Sequence, residues 1–184
     1  MSILLCRKEG LRMKHIEIQY YKTPCGELLL GSYDNQLCIC DWRYRNMRNA
    51  IDNRITGRLQ AQYVEKDNEV LSETRNQLSD YFSSRRRDFE LPLLFVGTEF
   101  QKQVWRQLVL VSFGDTSTYL NLAKAIGNKD AVRAVANANG ANALSIIVPC
   151  HRIIGSNGQL VGYAGGLEAK RKLIMLEQDM FAPQ

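Results

Sequence analysis

Apolar and polar residues alternate with period two from His15 onward. Ile16 and Ile18 are spaced by Glu17 and Gln19, and a second run follows over Glu27–Tyr33 and a third over Leu37–Trp42. Thr23-Pro24-Cys25-Gly26 and Asp34-Asn35 separate the runs, so the pattern predicts an antiparallel meander of three strands. Residues 43–58 are polar and Arg-rich and read as a helix with a solvated face. Val70, Leu71, Leu78, Tyr81 and Phe82 fall at helical spacing and predict a second helix, closed by Ser84-Arg85-Arg86-Arg87-Asp88. Three arginines there suit the carbonyl end of a helix and water better than a phosphate site.

Leu91 to Gly97 reads as a linker between two regimes: an N-terminal α/β domain over residues 1–96 and a mainly helical domain over 97–184. Thr98 and Gln101 have capping-box spacing, and Phe100, Val104, Trp105 and Leu108 line one face of the helix they start. Ser117 or Thr118 can cap a helix over 119–126 that Gly127 ends, and Asp130 opens another running to about Asn139. Two short helices around Gly127-Asn128-Lys129 form a helix-turn-helix. The second helix carries small side chains at Ala131, Ala134, Ala136 and Ala138, which permit close approach to a partner surface. Arg133 and Asn137 share a face of it. A final helix spans 167–178 and carries Glu177 near its end.

Ile146-Ile147-Val148 predicts a short, fully buried strand that Pro149 stops. Cys150, His151 and Arg152 follow directly: a thiol beside two groups able to favour its nucleophilic thiolate. A small core cysteine before a solvated His-Arg pair is the plainer account of the same residues. The only other histidine, His15, sits in a strand far from Cys150, which speaks against a distant Cys-His dyad of the protease kind.

Charge sharpens this only slightly. The net charge is +5, and residues 101–184 hold 9 Lys+Arg against 5 Asp+Glu, a weak pointer to a polyanion. Five cysteines without a C-x-x-C pair imply neither a disulfide framework nor a metal site, although Cys6, Cys25, Cys38 and Cys40 are spare thiols. Cys38 and Cys40, two apart on a strand, are expected on one face. Residues 1–13 read as a facultative leader, with Met1 or Met13 as the start. With no apolar run of about 18 residues and no signal peptide, the expected setting is soluble and cytoplasmic, with no membrane partner.

Pro149-Cys150-His151-Arg152, with Asn142 eight residues before the cysteine and Gly162-Tyr163-Ala164-Gly165-Gly166 after it, resembles the O6-alkylguanine-DNA alkyltransferases, in particular the bacterial Ogt-like branch. The resemblance is specific over about 97–177. It implies a ribonuclease H-like N-terminal domain and a winged helix-turn-helix C-terminal domain. It also implies direct, single-use transfer of the alkyl group of O6-alkylguanine, and of O4-alkylthymine, to Cys150. His151, reached through water and oriented by Glu177, would lower the thiol's pKa; Asn142 would pin the turn and Tyr119 would bond the purine N3. Thr118, Arg133, Ala134 and Asn137 would meet the minor groove of double-stranded DNA, with Arg133 replacing an extruded base. Ser145, Val148, Ile153, Tyr163, Ala164 and Gly165 would line the base pocket. The same resemblance implies no cofactor; some members hold a zinc on two cysteines and two histidines of the N-terminal domain, and this chain lacks the second histidine there, so no metal is expected, and the chain is read as a monomer. A transcriptional regulator built on the helix-turn-helix would leave Cys150, Asn142 and Glu177 without a role, and a cysteine hydrolase would lack its second histidine.

Overall fold

The computed structural model describes residues 14–180. The leader read over 1–13, the choice of Met1 or Met13, and Cys6 lie outside the described residues. Strands β1 (Lys14–Thr23), β2 (Gly26–Tyr33) and β3 (Gln36–Trp42) form the expected meander. Asp34 and Asn35 both take left-handed φ values, 51° and 56°, which a two-residue hairpin turn requires. The sheet is nevertheless mixed rather than purely three-stranded. A fourth strand, β4 (Ala61–Glu65), pairs parallel with β1 and gives the order β3-β2-β1-β4. It is five residues long, too short for its alternation to stand out in the sequence.

The helix between β3 and β4, α1 (Arg48–Leu59), starts five residues later than its composition suggests. Met47 adopts a left-handed φ of 63°, and the chain before it is loop. Cys38 and Cys40 also depart from expectation. Gly31 pairs with Ile39 while Ser32 pairs with Leu37, so Cys38 is the extra residue of a bulge. The phase of the strand shifts there, and the two thiols join different apolar clusters.

Each face of the sheet is covered. Ile51 and Ile55 of α1 pack on Ile16, Ile18, Leu29 and Ile39. On the other face α2 (Glu69–Phe82) buries Leu71, Leu78 and Tyr81 against Leu28, Leu30 and Leu37. The C-terminal half joins this second cluster through Trp105, Leu108, Val135, Leu144 and Cys150, so both halves share one apolar core. The linker docks on the sheet as well: Leu37 N donates to Pro92 O at 2.7 Å and Leu94 N to Leu37 O at 2.9 Å.

Helix α3 (Glu99–Val109) opens on the expected capping box. Thr98 Oγ1 accepts from Gln101 N at 3.2 Å and Gln101 Oε1 accepts from Thr98 N at 2.9 Å. Strand β5 (Ser117–Thr118) leads into α4 (Tyr119–Ala125), which Thr118 caps through Asn121 N. Gly127, at φ 78°, turns the chain toward α5 (Val132–Gly140) and completes the helix-turn-helix. Strand β6 (Ile153–Ile154) pairs parallel with β5 as a minimal wing. Helix α6 (Gly166–Asp179) closes the described chain.

Ile146-Ile147-Val148 is not the predicted strand. It is a buried run of turns, and Ile146 has a φ of 73°, costly for a β-branched residue. Burial was legible in three consecutive apolar residues; backbone shape was not, because a side chain replaces the ladder. Asn142 Nδ2 donates to Val148 O at 2.9 Å, and Asn142 Oδ1 accepts from Leu144 N at 2.9 Å.

Removing the Thr98 hydroxyl leaves the first turn of α3 with an unpaired N–H. Thr98→Ala should cost about 1 kcal/mol in urea unfolding, with an unchanged denaturant slope. A loss below a few tenths would mean that the packing of Trp105 alone sets this helix start.

Candidate active site

Cys150 begins a 3-10 turn, Cys150–Arg152, that emerges from the buried loop. The turn sends the three side chains in separate directions. Cys150 borders a cavity of about 740 Å³, while His151 and Arg152 point into the protein. The cavity lies between the halves: Cys25, Trp42, Tyr44 and Arg45 on one side; Tyr119, Asn137, Tyr163, Ala164 and Gly165 on the other. Trp42 is wedged beneath the glycine-rich loop, since a Cβ on Gly165 would lie 2.5 Å from the indole, and it meets Tyr163 edge-on at 6.0 Å.

Behind the cysteine stands Glu177, 1 % exposed. Its Oε1 accepts from Tyr81 Oη at 2.8 Å, His151 Nε2 at 2.8 Å and an Arg152 nitrogen at 3.0 Å. Its Oε2 accepts from Arg152 Nε at 2.8 Å and Gly114 N at 3.2 Å. Burial alone would push this carboxyl up, but the hydrogen bonds from His151 and Arg152 and the guanidinium charge of Arg152 win and hold its pKa at about 2. Burial pushes the His151 imidazole below its ordinary value despite the carboxylate beside it. A neutral ring facing a carboxylate must carry its proton on Nε2, so the buried Nδ1, which has no partner among the described residues, is left as an acceptor.

The thiol is shifted opposite to expectation. Burial pushes Cys150 up, and only in part does Asn142 Nδ2, 3.2 Å from Sγ, pull it back. The resting group is therefore a thiol, and the carboxylate-backed imidazole that follows it in the chain is a proton acceptor and not a cation.

The other expected residues fall in three groups. Tyr119, Tyr163, Ala164, Gly165 and Asn137 border the cavity with Cys150. Arg133, Ala134 and Asn137 form the exposed face of α5, and Thr118 spends its hydroxyl on the cap of α4. Ser145, Val148 and Ile153 lie inside instead of on the cavity wall. Ser145 Oγ donates to Asp41 Oδ1 at 3.2 Å. Val148 O is already bonded by Asn142 and Cys150 N, and Ile153 O by Lys170 Nζ.

Several site residues escaped the sequence reading. Arg152 was expected to favour the Cys150 thiolate and Tyr81 to lie in an apolar stripe, yet both hold Glu177. Lys170, 0 % exposed, also holds Val161 O at 2.7 Å; burial lowers its pKa to about 8. Only a polar residue recurring at buried helical positions, as Lys170 and Glu177 do on α6, could have signalled them.

Comparison with known proteins decides what this arrangement belongs to. The family model described as "6-O-methylguanine DNA methyltransferase, ribonuclease-like domain" matches residues 16–95, and that described as its "DNA binding domain" matches 99–179. A methylated-DNA–protein-cysteine methyltransferase of Methanosarcina acetivorans is 40% identical over 157 residues, spanning 85% of this chain and 95% of the relative. The chain belongs to the O6-methylguanine DNA methyltransferase family. The constitutive enzyme of Bacillus subtilis is 37% identical over 166 residues, 88% of this chain and 96% of its own. The crystal structure of the Mycobacterium tuberculosis O6-methylguanine methyltransferase superposes with a TM-score of 0.77 at 33% identity, covering 91% of this chain and 95% of that one. A structure of the same mycobacterial protein in complex with DNA gives 0.75 at 34%, covering 90% and 94%. The methyltransferase described here is thus a single-turnover DNA-repair enzyme that moves an alkyl group from DNA to a cysteine, on an N-terminal mixed sheet and a mainly helical C-terminal half.

Two consequences follow from the charges. Glu177 is depressed from 4.5 to about 2, so its stabilisation is complete above the unfolded value and is lost as pH falls through the folded one. Wild-type stability should therefore decline by about 3 kcal/mol between pH 5 and 2 from this group, a component absent in Glu177→Gln. Equal acid limbs in urea melts of the two proteins would contradict the buried-ion assignment. The thiolate absorbance of Cys150, taken as wild type minus Cys150→Ser, should rise only above the ordinary thiol range; a midpoint below it would contradict the neutral resting thiol.

Proposed function

We propose that Cys150 Sγ is the acceptor, taking the alkyl group from O6 of guanine and from O4 of thymine in duplex DNA. The observation that carries this is one juxtaposition: a thiol at a cavity wall, an amide on its sulfur, and a neutral imidazole backed by a buried carboxylate beneath it. In the reaction the thiol proton passes through water to His151 Nδ1. Sulfur attacks the alkyl carbon, the carbon–oxygen bond breaks, and the electron pair returns to the base. The Tyr119 hydroxyl, at the cavity, bonds the purine N3 and supplies the proton that restores the base. The product is a thioether, which is no leaving group, so each chain acts once and needs no cofactor.

Cys150 is 2 % exposed, so the target nucleotide must leave the stack to reach it. The exposed face of α5, with Ala134 and Asn137 flanking Arg133, is slim enough for the minor groove. Arg133 fills the gap that the extruded base leaves. A single chain supplies both the DNA surface and the acceptor, which supports a monomer; its proposed place of work is the cytoplasm. A cavity of about 740 Å³ leaves room beside a purine for alkyl groups larger than methyl.

Duplex DNA with a labelled methyl on guanine O6, or on thymine O4, tests the assignment. Label should reach the wild-type chain once and should not reach Cys150→Ala, which still binds the duplex. Transfer to the Ala variant would refute the acceptor. Arg133→Ala should slow repair of the duplex by a factor equivalent to a few kcal/mol, yet hardly change alkylation by free O6-benzylguanine. Equal slowing on both substrates would give Arg133 a role in the fold instead.

A further inference from the structure

The N-terminal half grips the acceptor turn. Helix α5 ends in carbonyls that no helical N–H can satisfy, and two arginines from the other half take them. Arg45 donates to Asn142 O at 3.0 Å and to Gly140 O at 2.5 Å, and Arg54 donates to Ala141 O at 2.8 Å. Their charges also complement the negative end of the helix. Arg45 is itself fixed by Asp41, whose two oxygens lie 3.1 and 2.9 Å from one guanidinium nitrogen. Asp41 is 0 % exposed, accepts from Arg48 at 2.9 Å, and receives the Ser145 hydroxyl from the same turn. β3 runs alongside, with Cys40 N donating to Ala143 O at 2.8 Å.

Burying an aspartate and an arginine side chain only 6 % exposed forfeits hydration that pairing at best offsets, so stability alone is a poor reason for the cluster. What it does fix is geometry. Asn142 stands at the centre: its carbonyl is held by Arg45, its amide reaches Val148 O and Cys150 Sγ, and its side-chain oxygen takes Leu144 N. Arg45 also borders the cavity, and its charge reaches the thiol, favouring the thiolate where Asp41 opposes it.

We propose that Arg45 is a positioning residue for alkyl transfer: the N-terminal domain uses it to lock the end of α5 and the Asn142 backbone, and thereby the Asn142 amide against the acceptor sulfur. The seat of α5 on DNA and the place of the thiol then share one anchor. The proposal rests on the reading of Cys150 as the acceptor.

Single-turnover alkylation of the full chain by O6-benzylguanine tests it, measured against substrate concentration together with the thermal midpoint. Arg45→Met, close in size and uncharged, should lower the maximal rate about tenfold or more, since small misplacement of reacting groups is costly. The half-saturating concentration should change by less than about twofold, because base binding is not the step affected. Arg45→Lys keeps the charge but cannot span two carbonyls and a carboxylate. It should recover most of the thermal midpoint and little of the rate. Adding Asn142→Ala to Arg45→Met should give a rate near that of the slower single variant, as expected of one chain of contacts. A folded Arg45→Met or Arg45→Lys reacting at the wild-type rate would overturn the proposal, as would losses that multiply in the double variant. Rate and midpoint returning together in Arg45→Lys would reduce Arg45 to a structural brace and overturn it too. Should Arg45→Met fail to fold, Arg45→Lys alone decides. Wild-type protein that is not alkylated on Cys150 would be a different failure, that of the acceptor assignment.

Discussion

A carboxylate with almost no access to water governs the C-terminal half of this protein. Glu177 stays ionised because five hydrogen bonds from four residues converge on its two oxygens. The cost of burying the charge is offset only while all of them are in place. That condition ties α2 through Tyr81, the loop at Gly114, the 3-10 turn through His151 and Arg152, and α6 into one unit. The same condition sets the chemistry. An ionised partner forces the imidazole proton onto Nε2, leaving Nδ1 as a bare acceptor.

The acceptor turn obeys a second constraint of the same kind. Most of the backbone over 141–149 lies outside helix and sheet and is buried where water cannot serve, although β3 reaches it through Cys40 N and Ala143 O. Asn142 replaces a ladder by bonding at both ends of the turn, and its amide has a hydrogen left for Cys150. Structure and reactivity thus draw on one side chain. The N-terminal half enters through Asp41 and Trp42 on the β3 edge, through Arg45 just beyond it, and through Tyr81 of α2.

Much of this could be read in the chain, and the unread part has a common cause. Periods of two and 3.6, turn residues and a capping box located the meander, α2, α3 and the helix-turn-helix, since those signals are local. The motif around Cys150 located the site. The failures needed partners distant in sequence. Arg152 and Lys170 look like solvated charges until Glu177 and the carbonyls of 153 and 161 are seen beside them. Ile146-Ile147-Val148 announces burial but not the turn that Asn142 makes possible, and one bulged residue reverses the faces of Cys38 and Cys40. The direction of the thiol's shift was misread for the same reason: adjacency to His151 suggested activation, whereas His151 faces Glu177 and burial dominates.

The state of His151 is the most direct test of the account, and the chain holds only two histidines. Nitrogen NMR of histidine-labelled protein, with Cys150→Ser and His15→Gln to assign and isolate the signal, reads both ring nitrogens. The account predicts a neutral ring with the proton on Nε2 and a bare Nδ1 at neutral pH, gaining a second proton only below the ordinary imidazole range. An imidazolium at neutral pH, or a neutral ring carrying its proton on Nδ1, would contradict it.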